Sequence, residues 1–129
     1  MAVNGETTLR VLMFGFEEPL ASELGEALAN EQAVVRTCPP LTAHDGFALI
    51  EQANILFCAA EPDYYRPLLA KIKGAKLQLP VVIVGRQPEV SQWLAALEAG
   101  ADDFCVPPFE SSQVRWLLNS AISHGFGHA

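Results

Sequence analysis

Every residue between Pro80 and Gly85 is apolar: Val81, Val82, Ile83 and Val84 form an unbroken run. That run limits the possible folds more than any other stretch of the chain. A strand with one wet face alternates apolar and polar residues, whereas a strand apolar throughout has both faces covered, as in the centre of a parallel sheet. Other short runs divide the sequence in the same way, from Leu9 to Gly15, from Ala33 to Cys38 before Pro39-Pro40, from Ile55 to Ala60, and from Asp103 to Val106 before Pro107-Pro108.

Between these runs apolar residues recur at helical spacing. Leu20, Leu24 and Leu28 form one set, and Phe47, Leu49 and Ile50 form another in a stretch opening near Thr42. Leu68, Leu69 and Ile72 follow Pro62 in a helix expected to be entered through Tyr64-Tyr65-Arg66-Pro67, because a proline is tolerated in the first turn. Val90, Trp93, Leu94 and Leu97 mark a helix stopped by Ala99-Gly100; Val114, Leu117, Leu118 and Ile122 mark one from about Ser111. Five strand–helix pairs joined by right-handed crossovers predict an α/β doubly wound, flavodoxin-like fold. Its five-stranded parallel sheet has the order 2-1-3-4-5 and helices on both faces. The expected domain runs over 9–122, with an extension at 1–8 and a tail at 123–129 in which Gly125 and Gly127 break any helix.

At 129 residues and 50% hydrophobic, the chain suits one core that needs no disulfide or metal. A formal charge of −7, with lysine confined to Lys71, Lys73 and Lys76, argues against a nucleic-acid surface. No run is long enough to span a membrane, and the first residues lack the basic-then-apolar pattern of a secretory signal, so a cytoplasmic protein is expected. Cys38, Cys58 and Cys105 lack metal-ligand spacing, and Cys58 and Cys105 sit in apolar runs that predict inert packing. His124 and His128 fall in the tail and His44 near a helix start, and no Ser-His-Asp or Cys-His pattern stands out. After Gly15, Phe16-Glu17-Glu18-Pro19 lacks the further glycines of a dinucleotide loop and places acids where a pyrophosphate would sit.

Gly100-Ala101-Asp102-Asp103-Phe104-Cys105-Val106-Pro107-Pro108-Phe109 resembles a segment of the receiver (CheY-like) domains of response regulators, usually Gly-Ala-Asp-Asp-Tyr-x-x-Lys-Pro-Phe. The runs from Arg10 to Phe14 and from Pro80 to Gly85 resemble that family's first and fourth strands, so the likeness extends from Leu9 to Ile122. It implies a receiver architecture, with a cis bond expected before Pro108. It also locates the family's phosphorylation machinery: a magnesium-binding acid pair at Gly15 and Phe16, the phosphoacceptor at Ala59, a hydroxyl residue at Gly85 and a lysine at Pro107. All five positions depart from the pattern. Shifting the register rescues nothing, because Cys58 and Ala60 flank Ala59, no Asp occurs between Asp45 and Asp63, and no lysine follows Lys76. Acyl-phosphate chemistry needs a carboxylate nucleophile, and magnesium needs hard oxygen ligands.

The resemblance therefore implies a pseudo-receiver in two-component or phosphorelay signalling that works without phosphorylation, and not an enzyme. Its partner is another protein or a second copy of itself, with no nucleic acid, membrane, cofactor or metal. Its binding face comprises the last two helices and the strand between them, with Trp93, Phe104 and Trp116 as interface candidates. Phe104 occupies the place of an aromatic that changes rotamer on activation in receivers, and is read either as a static core residue or as a switch. Phe16 is expected to occupy part of the vacated site. The alternative is a small-molecule or anion sensor at the C-terminal edge of the sheet, using Glu17, Glu61, Arg86 and Tyr64. Arg86 separates the two, since pairing with Glu17 or Glu61 points to a structural role.

Overall fold

A computed structural model describes residues 9–31, 33–38, 50–59 and 61–126. Strand β1 (Arg10–Phe14) is followed by α1 (Leu20–Ala29), β2 (Val34–Cys38), β3 (Ile55–Cys58), α2 (Pro62–Gly74), β4 (Val81–Val84), α3 (Val90–Glu98), β5 (Asp103–Cys105) and α4 (Ser111–Phe126). Residues 50–52 are also helical, and the rest of the stretch expected to open near Thr42, His44 included, lies outside the described residues. The strands form one parallel sheet in the order β2-β1-β3-β4-β5, as the sequence predicts.

The apolar run of β4 is divided between two cores, because successive side chains point to opposite faces. Val82 and Val84 join Val11, Met13, Ile55 and Phe57 beneath Leu20, Leu24 and Leu28 of α1 and Val114, Leu117 and Leu118 of α4. Val81 and Ile83 join Leu12, Phe14 and Leu56 beneath Tyr65, Leu69 and Ile72 of α2. To that second core α3 contributes only Ala96.

The helix ends follow local chemistry. The Glu18 carboxylate accepts the Ser22 N–H at 3.1 Å in the first turn of α1, one of the donors a helix start leaves unpaired. Beyond α3, Gly100 turns at φ 107°, while the Ala101 N–H reaches back to the Ala96 carbonyl and the Gly100 N–H to that of Leu97. This is a Schellman stop of the kind Ala99-Gly100 announces. The same closure ends α2, where Lys76 adopts φ 60° and Leu77 bonds back to Ile72.

Two expectations are corrected. Helix α2 starts at Pro62, so Pro67 lies inside it and not in the first turn. Pro62 already occupies the start, and Pro67 is exposed, so its ring displaces nothing in the core. Helix α4 runs through Ser123, His124 and Gly125 to Phe126, because a single helical glycine costs only about 1 kcal/mol. Residues 1–8 and 127–129, with His128, lie outside the described residues.

Candidate functional site

Four adjacent strands, β1, β3, β4 and β5, end along the C-terminal edge of the sheet, where folds of this architecture place their sites. Gly15 closes β1 at φ 80°, a conformation that favours glycine. Phe16 is half-buried and packs against the core beneath α1 and α4, as do Ala59 and Phe109. Ala59 prolongs the pairing of β3 with β1 by donating its N–H to the Phe14 carbonyl at 2.9 Å. Gly85 does the same between β4 and β5, donating to the Cys105 carbonyl at 2.9 Å. The Pro107–Pro108 bond is cis, as the resemblance implies, and so is Glu18–Pro19. By residue type, Gly15, Phe16, Ala59, Gly85 and Pro107 offer no side-chain carboxylate, hydroxyl or amine.

Phe104 fills the space that a side chain on residue 85 would need. A β-carbon on residue 85 would lie 2.7 Å from Phe104 Cζ, 3.2 Å from Cε2 and 3.4 Å from the Gln92 side-chain oxygen. The ring therefore lies over the end of β4 where Gly85 has no side chain, half-buried against the α2-side core. The sequence identifies both residues, but only the structure joins them. Ile83 is in register with Phe104 across the β4–β5 ladder, and the ring reaches past it to Gly85, the residue after β4.

The remaining edge residues do not converge on a ligand. Arg86 lies 3.6 Å from Glu17, both side chains being largely exposed, at 63% and 81%. Glu61 is exposed and caps α2 through its backbone carbonyl, which accepts the N–H groups of Tyr64 and Tyr65. The Tyr64 ring stacks on Phe14, with centroids 5.6 Å apart and planes at 28°. Among the described residues no three His, Cys, Asp or Glu side chains are grouped to hold a metal ion. Burial pushes the Cys58 thiol up to about 12; burial, reinforced by the Asp103 charge, does the same for Cys105. Both remain protonated at neutral pH and lack the thiolate a nucleophile requires.

The outer side of the last two helices is different. Trp93 is 44% exposed and Trp116 60%. Val90, Leu94 and Leu97, whose spacing marks α3 in the sequence, are all turned to solvent. The opposite face of α3 carries small residues, Ala95, Ala96 and Ala99, and that was the signal available in the sequence. Between α3 and α4 a groove of about 240 Å³ runs over β5, with Phe104, Cys105 and Val106 beneath and Trp93 and Gln113 at its sides.

No protein-family model and no curated protein matches the sequence. Solved structures match in fold. A CheY-like protein (tadZ) from Pseudomonas aeruginosa superposes with a TM-score of 0.77 at 21% identity, covering 88% of this chain and 99% of that one. A response regulator receiver domain protein from Methanospirillum hungatei gives 0.70 at 19% identity, covering 95% and 100%. NtrX from Brucella abortus, solved in complex with ADP, gives 0.73 at 23% identity; the match covers 92% of this chain but only 27% of that longer protein. The chain thus shares the fold of CheY-like receiver domains. Among the described residues no helix is long and apolar enough to cross a membrane.

Proposed function

We propose that this chain, with a receiver fold but without receiver chemistry, is a phosphorylation-independent pseudo-receiver of two-component or phosphorelay signalling. It is a binding module and not an enzyme, and it acts through protein–protein contact on the α3–β5–α4 face. The observation that carries this reading is the Phe104 ring lying 2.7 Å from where a β-carbon of residue 85 would be. The aromatic beneath the binding groove is positioned by packing against a glycine, with no ligand or modification required to bias it. Ala59 presents a methyl group where an acyl phosphate would need a carboxylate, and Gly15 and Phe16 supply no side-chain oxygen for magnesium. The mode of action is supported by the exposure of Val90, Trp93, Leu94, Leu97 and Trp116, since apolar side chains contiguous on one face mark interaction surfaces.

A sensor at the strand ends has less support. Arg86, the cation it would use, is paired with Glu17, and Glu61 adds further negative charge to the same edge. The test is to incubate the chain with acetyl phosphate, or with beryllofluoride and magnesium, while following the fluorescence of Trp93 and Trp116 and the oligomeric state. Neither signal is expected to change. A saturable, metal-dependent response would remove phosphorylation independence.

A further inference from the structure

Resting on the docking role proposed above, we infer that the α3–β5–α4 face receives a cationic amphipathic helix of another protein and not a second copy of this chain. Val90, Trp93, Leu94 and Leu97 lie at i, i+3, i+4 and i+7 along α3, and each is at least 37% exposed. That spacing seats one helix along another. The adjoining groove of about 240 Å³ has an apolar floor and can take a large side chain from the visitor.

Charge selects the occupant. From Gln87 to Phe126 the chain carries five acids and one Lys or Arg, which is Arg115; Asp102 accepts the Val81 N–H and Asp103 the Phe104 N–H, each at 2.8 Å, which leaves Glu89, Glu98 and Glu110. The Arg115 guanidinium donates to both oxygens of Glu31, at 3.1 and 3.3 Å, and so turns toward the end of α1. Arg86, just before this segment, is taken by Glu17. The apolar stripe is therefore bracketed by Glu89 at one end and Glu98 at the other, and α3 has no Lys or Arg of its own, the Lys73 ammonium of α2 lying beside Gly100 just past the Glu98 end.

A second copy fits this pattern poorly. A two-fold axis through the stripe runs the two α3 helices antiparallel and sets Glu89 of one copy toward Glu98 of the other at both ends. Each copy also carries a formal charge of −7. A helix with lysine or arginine flanking an apolar stripe meets the same face with opposite charge at both ends and its own apolar residues on the leucines.

The probe is a dye-labelled peptide of leucine and lysine at helical spacing, about 18 residues long so that it can hold a helix once docked. A leucine–glutamate counterpart and a scrambled peptide of the same composition accompany it. Anisotropy should show saturable one-to-one binding of the lysine peptide only, weakened about tenfold by Leu94→Ala and about tenfold by Glu89→Gln with Glu98→Gln. Light scattering should show the unliganded chain as a monomer. A dimer that Leu94→Asp dissociates would overturn the cationic partner while leaving the docking face in place. Binding insensitive to Leu94 or equal for the scrambled peptide would also overturn it. Absence of both peptide binding and self-association would remove the docking role and the partner together.

Discussion

Helices α1 and α3 are similar in length and rich in apolar residues, yet they are used in opposite ways. Helix α1 buries Leu20, Leu24 and Leu28, at 5%, 0% and 0% exposure, against the core shared with α4. Helix α3 buries Ala96 and turns Val90, Trp93, Leu94 and Leu97 outward. On the α1 side the leucines face a sheet surface otherwise covered only by α4. On the other side Tyr65, Leu69 and Ile72 of α2 fill the core and the Phe104 ring occupies the end of β4, so α3 meets the sheet through alanine. Periodicity identifies a helix, but the space its neighbours leave decides which stripe is buried. Fully burying a Leu or Val side chain is worth about 1.5–3 kcal/mol, so the stripe on α3 gives up stability that a partner can restore.

The sharpest way to break this comparison is to truncate one leucine on each helix. Leu24→Ala is expected to cost about 2–5 kcal/mol in urea unfolding, and Leu94→Ala no more than about 0.5 kcal/mol. Equal losses would mean that α3 is covered in solution and that the two helices do not differ. Gly85→Thr should cost about 1–3 kcal/mol by forcing the Phe104 ring off β4. It should also alter Trp93 emission across the groove while leaving the α1 side unchanged. A silent Gly85→Thr would mean that Phe104 moves freely and that packing does not position it.

Two thiols sample the two layers, Cys105 beneath α1 and α4 and Cys58 on the α2–α3 side. Each is raised from 9.0 to about 12 in the folded chain, so the unfolded state releases its proton first. Their contribution to stability is intact below pH 9 and is lost as the pH rises toward 12, by about 1 kcal/mol per thiol near pH 10. Alkaline unfolding curves check this, and a variant carrying Cys58→Ala and Cys105→Ala should show a flatter decline. A steeper response from Cys58 would show the α3 layer to be the tighter one.

Smaller effects than that of Leu24→Ala lie at the helix ends. Gly100→Ala should cost about 1–2 kcal/mol, since an L residue is strained at that φ. Its β-carbon would also lie 2.7 Å from the Lys73 ammonium and the carbon next to it. At the matching position of α2, Lys76→Gly should gain at most about 1 kcal/mol by relieving a left-handed lysine. Thermal melts of the two variants moving in the same direction would show that the two stops are not equivalent.

Much of this difference between helices is written locally. The alanines at 95, 96 and 99 sit opposite the large residues of α3, and Gly100 is placed where a Schellman stop needs it. The residue types at the sheet edge are legible as well, because an alanine at position 59 is a matter of residue identity. What is not legible depends on neighbours distant in sequence. Arg86, after β4, meets Glu17, after β1, with β3 between the two strands, and Tyr64 stacks on Phe14 although the sequence marks it only as a polar contact. Pro67 and Gly125 show the limit of local rules, since a helix tolerates an exposed proline or a single glycine when the rest of it forms.

By itself the sequence determined the alternation of strands and helices, the parallel order of the sheet and the side-chain types at positions 15, 16, 59, 85 and 107. Backbone periodicity and residue identity are local properties, and crossover handedness leaves few topologies to choose from. Only the tertiary structure decided that Phe104 lies on Gly85, that Arg86 is paired with Glu17, and that the large residues of α3 face water. Each of those outcomes depends on which space is already occupied, and close packing settles that only when all the elements are in place.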